Sequence, residues 1–535
     1  MNKVDYNEKI KEHLDDNETY LKLDSDPTRD LRTTVNQYLK SLLDKKLITN
    51  AQYYSLFAKS STIPLFYALI KIHKIGVPIR PIVSFIDSPS YNVAKFLSKL
   101  LTPSTNKSQR KLKNSYDVKE RLANQIIPDS FMLVSFDVKS LFTSIPQSFA
   151  IECIKSFLEN NSDIYERTRL NSSEILKLME ICLEATCFCY NDQIYKQIHG
   201  MPMGSPVSVV IAEIVMQHIE NLILSNDSFV FQFWFRYVDD IFACLEKNKI
   251  EENLNFINSI NHNIQFTVEK EVNNEINFLD IFMKRAPNGQ LNFKVFRKST
   301  HTDKYLDYNS YHPEEHKNSV IRSLLHRANN LCDRNEKDNE FKHINKVLIA
   351  NNYPTSKIKN ISRKLRDGNN SRNNTTNEST EYISAPYIKG TSERVGRILN
   401  QYNIKLSHKP TKILKNELCH LKDKRKPPDK AGVIYKLSCK ECDSVYIGET
   451  GRQLKERVQE HRRDVEKRKP LSKVFSHVND TGHTFDFDDV SILDSCGSAK
   501  IRKQLEGVYT VMNSNSLNRA INLNHLYHPI INQNR

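Results

Sequence analysis

Glycine is scarce in this chain, at 13 of 535 residues. That excludes fibrous, collagen-like and linker-dominated proteins, which depend on glycine for backbone freedom. Long hydrophobic runs are missing as well. No stretch of about 18 consecutive apolar residues occurs, so no membrane span is expected. Residues 1–20, MNKVDYNEKIKEHLDDNETY, are charged and lack the apolar segment of a secretory leader. The 10 cysteines are mostly scattered. That is unlike a secreted disulfide framework and points to a reducing intracellular compartment.

Hydrophobic residues make up 39% and aromatics 9%, enough to build real cores. The length suggests about two to four domains. Lys and Arg number 78 against 63 Asp and Glu, a net charge of +15. Such a balance suits a polyanionic partner, because each cation docked on a phosphate releases condensed counterions. A chromatin or ribosomal binder, or a merely solvated basic surface, would show the same charge.

Periodicity divides the chain. Residues 1–62 read as helical, with apolar residues at helical spacing from Thr34 to Leu56. Residues 63–86 read as strands and a turn, with Lys71, His73, Lys74 and Arg80 between short apolar runs broken by Pro and Gly. Residues 90–102 return to helix, and FMLVSFDV (131–138) is a compact strand ending at Asp137. Helix is expected over 147–185, and a Gly/Pro turn feeds a long apolar helix in 201–223. In FQFWFRYVDDIFACL (231–245), two apolar runs meet at Asp239-Asp240, a hairpin pattern. Residues 253–296 alternate helix and strand, and 312–350 are helical. GNNSRNNTTNEST (368–380) reads as a flexible linker, followed by a basic segment ending in KDKRKPPDK. A last domain starts near Ala431, and no internal repeat is found.

Three carboxylates carry the first chemistry. Asp137 ends a buried strand, and Asp239-Asp240 sit at a hairpin turn. Adjacent carboxylates raise each other's pKa unless a cation sits between them. An isolated Asp-Asp is usually a turn or a helix cap, but two apolar strands leading into this one favour metal binding. Two-metal phosphoryl transfer needs carboxylates that bridge ions roughly 3.5–4 Å apart. Asp137 and Asp239 would bridge them, with Asp240 as helper.

Tyr237-Val238-Asp239-Asp240, and SFDVKSLFTSI about a hundred residues earlier, follow the order of the reverse-transcriptase metal motifs. PLFYALIKIHKIGVPIRPIVSF, LVSFDVKSLFTSIP, GMPMGSPVSVVIAE and RYVDDIF together resemble successive reverse-transcriptase blocks of Penelope-like retroelements. The resemblance covers residues 60–300 and continues through a thumb-like YHPEEHKNSVIRSLLHRANNLC at 311–332. It implies that Phe142, five positions after Asp137, is a steric gate against the ribose 2′-hydroxyl; a core Phe would look the same. It implies that Arg80 pairs with the incoming triphosphate, which a planar guanidinium suits. Lys71 and Lys74 would track template phosphates, and Gly204 would let the backbone approach the nascent base pair.

The C-terminal region carries a second pattern. Gly432-Val433-Ile434-Tyr435 precedes Tyr446-Ile447-Gly448, followed by Arg452, Arg457, His461 and, far downstream, Glu506. This resembles the GIY-YIG nuclease module, with the first triplet reading Val-Ile-Tyr. Arg457 and His461 are four apart and share a helix face. The resemblance implies DNA phosphodiester hydrolysis: Tyr435 takes a proton from the attacking water, and Tyr446 and His461 position that water. Arg457 stabilises the phosphorane, and Glu506 holds one divalent ion. Cys439 and Cys442 have metal-ligand spacing, and with His477 and His483 they would make a closed tetrahedral zinc site, as in endonuclease-bearing Penelope-like elements. Cys419-His420 competes for that role, and His461 is an alternative histidine. Cys187 and Cys189 read as packing residues.

The expected fold is α+β: a right-hand polymerase of fingers, palm and thumb, then a small zinc-containing α/β nuclease. The expected boundaries are a helical segment at 1–62, fingers and palm at 63–300 and a thumb-like region at 301–366. An Asn-rich, basic linker at 367–430 and the nuclease at 431–535 complete the chain. The resemblance implies an RNA-directed DNA polymerase of a retroelement that nicks target DNA and primes synthesis from the nick. Its partners would be element RNA, target DNA and deoxynucleoside triphosphates. Its cofactors would be two Mg²⁺ in the polymerase, one in the nuclease, and structural Zn²⁺. It would be made in the cytoplasm and act in the nucleus. Competing readings are a telomerase-like enzyme, which leaves the C-terminal pattern unexplained, and a truncated or domesticated copy that only binds nucleic acid. No N-terminal DKG-type motif is seen.

Overall fold

Short apolar runs punctuated by Pro and Gly form strands in the computed structural model, which describes residues 2–59, 61–72, 76–366, 381–410, 413–414, 422–423 and 425–518. The chain forms two compact units, each discontinuous in sequence. One comprises Met1–Lys107, Phe142–His218 and Leu421–Arg535, and the other Ser108–Leu141 and Ile219–His420.

In the first unit, one five-stranded sheet has the order β1 (Tyr20–Leu23), β6 (Gln193–Gln197), β5 (Cys187–Tyr190), β2 (Leu65–Ile70), β3 (Ile79–Ser84). β2 and β5 are parallel and the remaining pairs antiparallel. Its aromatics pack together: Phe188 lies 5.3 Å from Phe66, 5.6 Å from Tyr195 and 5.9 Å from Tyr20, ring centre to ring centre. The helix Lys3–Leu14 is tied on by Tyr6, whose hydroxyl donates to the Ala68 carbonyl and accepts from its N–H. The unit also holds a smaller antiparallel sheet in the order β16 (Val445–Gln453), β15 (Ala431–Ser438), β17 (Ser491–Ser495), with helices Leu454–Glu466, Lys473–Thr481 and Ala499–Met512.

The second unit is built on the antiparallel sheet β7 (Phe231–Tyr237), β8 (Asp240–Glu246), β4 (Phe131–Val138), β9 (Phe266–Lys270). A meander of β10 (Glu275–Phe278), β11 (Ile281–Arg285) and β12 (Leu291–Val295) shares its core through Leu133, Phe242, Phe278 and Phe293. Helices Glu314–Leu331, Arg334–Ala350 and Thr355–Arg366 enclose a separate core around Ile321, Leu325, Leu348 and Tyr353.

Three expectations change, and one apolar helix is accounted for by the core. The helical reading of 1–62 fails at β1, which is too short for periodicity to register and forms only by pairing with β6. The stretch from Thr34 to Leu56 is two helices, Thr28–Asp44 and Asn50–Leu56. Thr49 and Gln52 form a capping box that starts the second one. The linker expected at 367–430 is folded over β13 (Glu381–Ala385), the helix Thr391–Asn400 and β14 (Ile404–His408), with β13 and β14 parallel. The tract 368–380 lies outside the described residues. Finally, the helix Pro206–Leu224 is long and apolar enough to cross a membrane by length and composition, with a mean hydropathy of 1.6. Its most apolar stretch is 67% buried inside the protein, so its hydrophobicity is accounted for by the core.

Phe242 tests the second unit's core. It is fully buried, with ring centres 5.0 Å from Phe278 and 5.8 Å from Phe233. Phe242→Ala should lower the unfolding free energy by about 3–5 kcal/mol in a urea titration, the cost of deleting a packed aromatic. A loss under about 1 kcal/mol would contradict this packing.

Candidate active sites

The polymerase carboxylates are placed by strand register. Phe136 of β4 faces Ile241 of β8, and Tyr237 faces Asp240 across the β7–β8 turn. The same β4–β8 register continued one residue sets Asp137 against Asp240, so the three carboxylates gather at one end of the sheet. Asp137 is exposed, whereas Asp239 and Asp240 are half-buried. Burial first, then the charges of Asp239 and Asp137, pushes Asp240 up to about 6. This is the electrostatic signature of a site that gains from a cation.

The other polymerase candidates lie in the first unit. Arg80 is exposed on β3, opposite Leu69. The Lys71 N–H donates to the Pro78 carbonyl at 2.9 Å, and Lys74 falls outside the described residues. Phe142 is half-buried, and its carbonyl accepts from the Met201 N–H at 2.6 Å. Gly204 has φ +132°, and a Cβ there would stand 2.0 Å from the Val83 carbonyl oxygen. The Val83 N–H donates to the Met203 carbonyl, so the Met-Gly-Ser-Pro turn is seated directly on β3, where only glycine fits.

In the C-terminal region, Tyr435 on β15 and Tyr446 on β16 stand 6.4 Å apart, ring centre to ring centre. A Cβ on Gly448 would lie 2.6 Å from the Tyr435 ring and 2.8 Å from that of Tyr446, which explains the glycine beside the second tyrosine. The Tyr435 hydroxyl lies 2.8 Å from His461 Nε2 and accepts from Arg457 Nε at 3.3 Å. Tyr435 is fully buried, and burial pushes its hydroxyl well above the ordinary tyrosine range. A cleft of about 340 Å³ is lined by Tyr446, Arg457, His461, Lys473, Lys503 and Glu506, and not by Tyr435. His461 is pushed down to about 4, first by burial and then by Arg457, so its imidazole is neutral at pH 7. Its Nδ1 has no hydrogen-bond partner among the described residues. Glu506 is raised by burial and then by Glu449.

Two residues here escaped the sequence reading. Glu460 bridges Arg457 at 2.8 Å and Arg452 at 2.6 Å, orienting both guanidinium groups; its i,i+3 spacing from Arg457 was the available signal. Asn518 brackets Ile447, donating to its carbonyl at 2.6 Å and accepting from its N–H at 3.1 Å. Nothing in the local sequence around Asn518 signals that long-range bond.

Among the described residues, the set of metal-type donors converging to within 4.8 Å of one another is Cys439, Cys442, His477 and His483. The three aspartates share a strand end without converging to that degree. Cys439 Sγ lies 3.7 Å from His483 Nδ1, and Cys442 Sγ 3.6 Å from His477 Nε2. Hydrogen bonds from the Ser444 side chain and then its backbone push Cys442 down to about 6, whereas burial raises Cys439. Glu441 accepts from the Thr484 N–H and hydroxyl, both at 2.8 Å, tethering the segment that carries His483. Two thiols and two imidazoles are a donor set suited to tetrahedral zinc. Cys419 and His420, the competing pair, lie outside the described residues. His461 is engaged with Tyr435 instead.

Residues 72–273 match the family of reverse transcriptases (RNA-dependent DNA polymerase), and residues 304–363 match the animal helix-turn-helix domain. The chain thus contains a reverse transcriptase domain of mixed α/β, polymerase-like fold, and the region expected as thumb-like coincides with the helix-turn-helix match. No curated protein matches the chain. Among solved structures, it is similar to telomerase from Candida albicans in complex with a TWJ fragment of telomeric RNA, at 11% identity and TM-score 0.39, covering 68% of each chain. Telomerase from Candida tropicalis, with the corresponding fragment, is 13% identical with TM-score 0.36, covering 61% of this chain and 58% of that one. A Sicinivirus RNA-dependent RNA polymerase is 12% identical with TM-score 0.38, covering 57% of this chain and 67% of that one.

The raised Asp240 makes stability depend on pH with a definite sign. Its folded-state pKa exceeds the unfolded value, so its favourable contribution is present at low pH and is lost as pH rises towards and through about 6. In metal-free buffer, Asp240→Asn should raise the melting temperature at pH 7.5, with the gain shrinking as pH falls through 6 towards 4. Calorimetry that finds a gain independent of pH would refute the charge assignment. For the Cys/His set, Cys439→Ser should remove about one zinc per chain by plasma emission analysis and selectively loosen the C-terminal region. Absence of zinc from the intact protein would reject the site.

Proposed function

We propose that this chain is an RNA-directed DNA polymerase that also nicks DNA, and that it is the protein of a Penelope-like retroelement. The observation that carries the polymerase reading is the reverse transcriptase match over 72–273, with Asp137, Asp239 and Asp240 at one strand end inside it. The donors fit divalent ions, because the ionised form of Asp240 is disfavoured by burial and then by the two neighbouring carboxylates, and a cation would offset both. When bound there, Mg²⁺ supplies charge neutralisation at the reacting phosphate and acidifies the attacking 3′-hydroxyl. Asp137, Asp239 and Asp240 would hold those ions, and the family resemblance assigns Arg80 to the triphosphate and Phe142 to exclusion of the ribose 2′-hydroxyl. RNA template and deoxynucleoside triphosphates are the corresponding partners, and the basic net charge supports phosphate-tracking contacts.

The nicking reading rests on the constellation of Tyr446, Arg457, His461 and Glu506 around one cleft. His461 lines the cleft and Tyr435 does not, so we read the proton-accepting role onto neutral His461, with Tyr435 hydrogen-bonded to its Nε2. Arg457, held by Glu460, stabilises charge on the attacked phosphate. Glu506 would hold the nuclease's Mg²⁺, and Lys473 and Lys503 on the cleft wall suit the flanking phosphates. Cys439, Cys442, His477 and His483 would hold structural Zn²⁺ and brace the β15–β16 hairpin. A nick in target DNA yields the 3′-hydroxyl that the polymerase extends along element RNA, a reaction set in the nucleus.

A two-by-two assay of plasmid nicking and primer extension tests both halves. Arg457→Ala and Glu506→Ala should each lose nicking by on the order of 10²–10³-fold and keep extension. Asp137→Asn should show the converse. Normal nicking by both C-terminal variants would reject the nuclease reading, and RNA-templated synthesis by Asp137→Asn would reject the polymerase site.

A further inference from the structure

Directly before the Tyr237-Val238-Asp239-Asp240 turn, Arg236 is the largest fully buried side chain in the second unit. An arginine in that position needs a partner, because a buried unpaired cation is strongly unfavourable. Its partner is Glu220, 1% exposed, near the C-terminal end of the helix Pro206–Leu224. Arg236 Nε lies 2.9 Å from Glu220 Oε1, and the Trp234 indole N–H donates to the same oxygen at 3.0 Å.

The guanidinium also reaches the turn. Arg236 Nη1 donates to the Val238 carbonyl at 2.9 Å. Val238 has φ +58°, the left-handed region that a β-branched residue strongly disfavours. A residue held there needs surroundings that over-determine its conformation. The Arg236 backbone is fixed too: its N–H donates to the Arg110 carbonyl at 2.9 Å, and its carbonyl accepts from the Leu112 N–H at 2.7 Å. The chain is thus clamped on the residue before the turn, and the clamp reaches over to the strained residue immediately preceding Asp239.

We propose that the buried Arg236–Glu220 pair is a positioning device for the polymerase carboxylates. It holds Val238 in its left-handed conformation and thereby sets the spacing at which Asp239 and Asp240 receive divalent ions. A simple apolar core would stabilise the sheet as well or better, since replacing a buried ion pair by apolar groups is often neutral. What an apolar pair cannot supply is a donor to the Val238 carbonyl. Arg236 and Glu220 act through the turn, not on substrate.

The proposal rests on the reading of Asp239 and Asp240 as metal ligands, and its test has a readout separate from polymerisation. Glu220→Met combined with Arg236→Met removes both charges together, so no buried charge is left unpaired. Mn²⁺ binding to the full chain is followed by electron paramagnetic resonance, with Asp239→Asn defining the sites to subtract, and Mg²⁺ dependence of primer extension is measured in parallel. The double variant should keep its unfolding transition and its primer–template affinity. Its Mn²⁺ affinity at the aspartate site should fall by about tenfold or more, as for other groups that orient metal ligands, and the Mg²⁺ needed for half-maximal extension should rise in step. Adding Val238→Gly, which makes a positive φ unstrained, should restore much of the loss. Unchanged metal affinity in a folded double variant, or no restoration by the glycine, would overturn the positioning role. Wild-type protein that binds Mn²⁺ at the aspartates without extending a primer would instead count against the polymerase reading alone. Should the double variant lose its unfolding transition, Arg236→Lys, which keeps the buried charge but lacks the fork, decides the matter by the same readouts.

Discussion

Burial and the charges of Asp239 and Asp137 together raise Asp240 at one end of the second unit's main sheet. Like charges at one sheet end oppose the pairing of the strands that carry them. The opposing force is the apolar packing behind them: Ile241, Phe242, Ala243, Cys244 and Leu245 form a continuous buried run on β8, and Phe136 and Val134 do the same on β4. A strand buried on both faces cannot slip register without moving a whole apolar set into water. The register that places Asp137 opposite Asp240 is therefore fixed by residues that never meet substrate.

The small C-terminal sheet meets a different constraint. Its core, centred on Val433, Tyr435, Leu437, Val458 and Phe485, has few residues for a domain carrying several inward-facing polar groups. Small folds with limited cores commonly rely on a metal or disulfide to close them. The four Cys and His donors at the tip of the β15–β16 hairpin occupy the place where such a staple acts, tying that tip to the helix Lys473–Thr481 and the segment after it. The same hairpin carries Tyr435 and Tyr446, so bracing its tip also steadies the cleft.

The sequence was most legible where chemistry and local pattern coincide. The aspartate strand, the hairpin turn, the Gly204 turn and the two tyrosine strands all announce themselves within a dozen residues, and each forms where expected. Roles set by distant partners were not legible. Arg236 reads as one more cation in an apolar strand until Glu220, on a helix, is seen to meet it. Asn518 is one asparagine among many until it brackets Ile447. Strand β1 and the parallel pair β13–β14 escaped because strands this short exist only through pairing, which periodicity cannot report. Residue type marks Tyr435 as a capable group, and only the fold shows that it is fully buried and outside the lining of the cleft that His461 shares.

The two candidate sites thus solve opposite electrostatic problems. At the aspartates, burial first and then the charges of Asp239 and Asp137 push Asp240 up to about 6. On the proposed reading, cations would supply the missing compensation. At the tyrosine cleft, burial drives the groups towards neutrality: Tyr435 keeps its proton, His461 is pushed down to about 4, and Glu506 is raised. Fixed positive charge there includes Arg457, already oriented by Glu460. That arrangement is preorganised before any ion binds, because its hydrogen bonds are made between protein groups. On the proposed reading, divalent ions at the acidic turn would offset charge that the protein leaves uncompensated, whereas an ion beside the tyrosine cleft would join hydrogen bonds already made between protein groups.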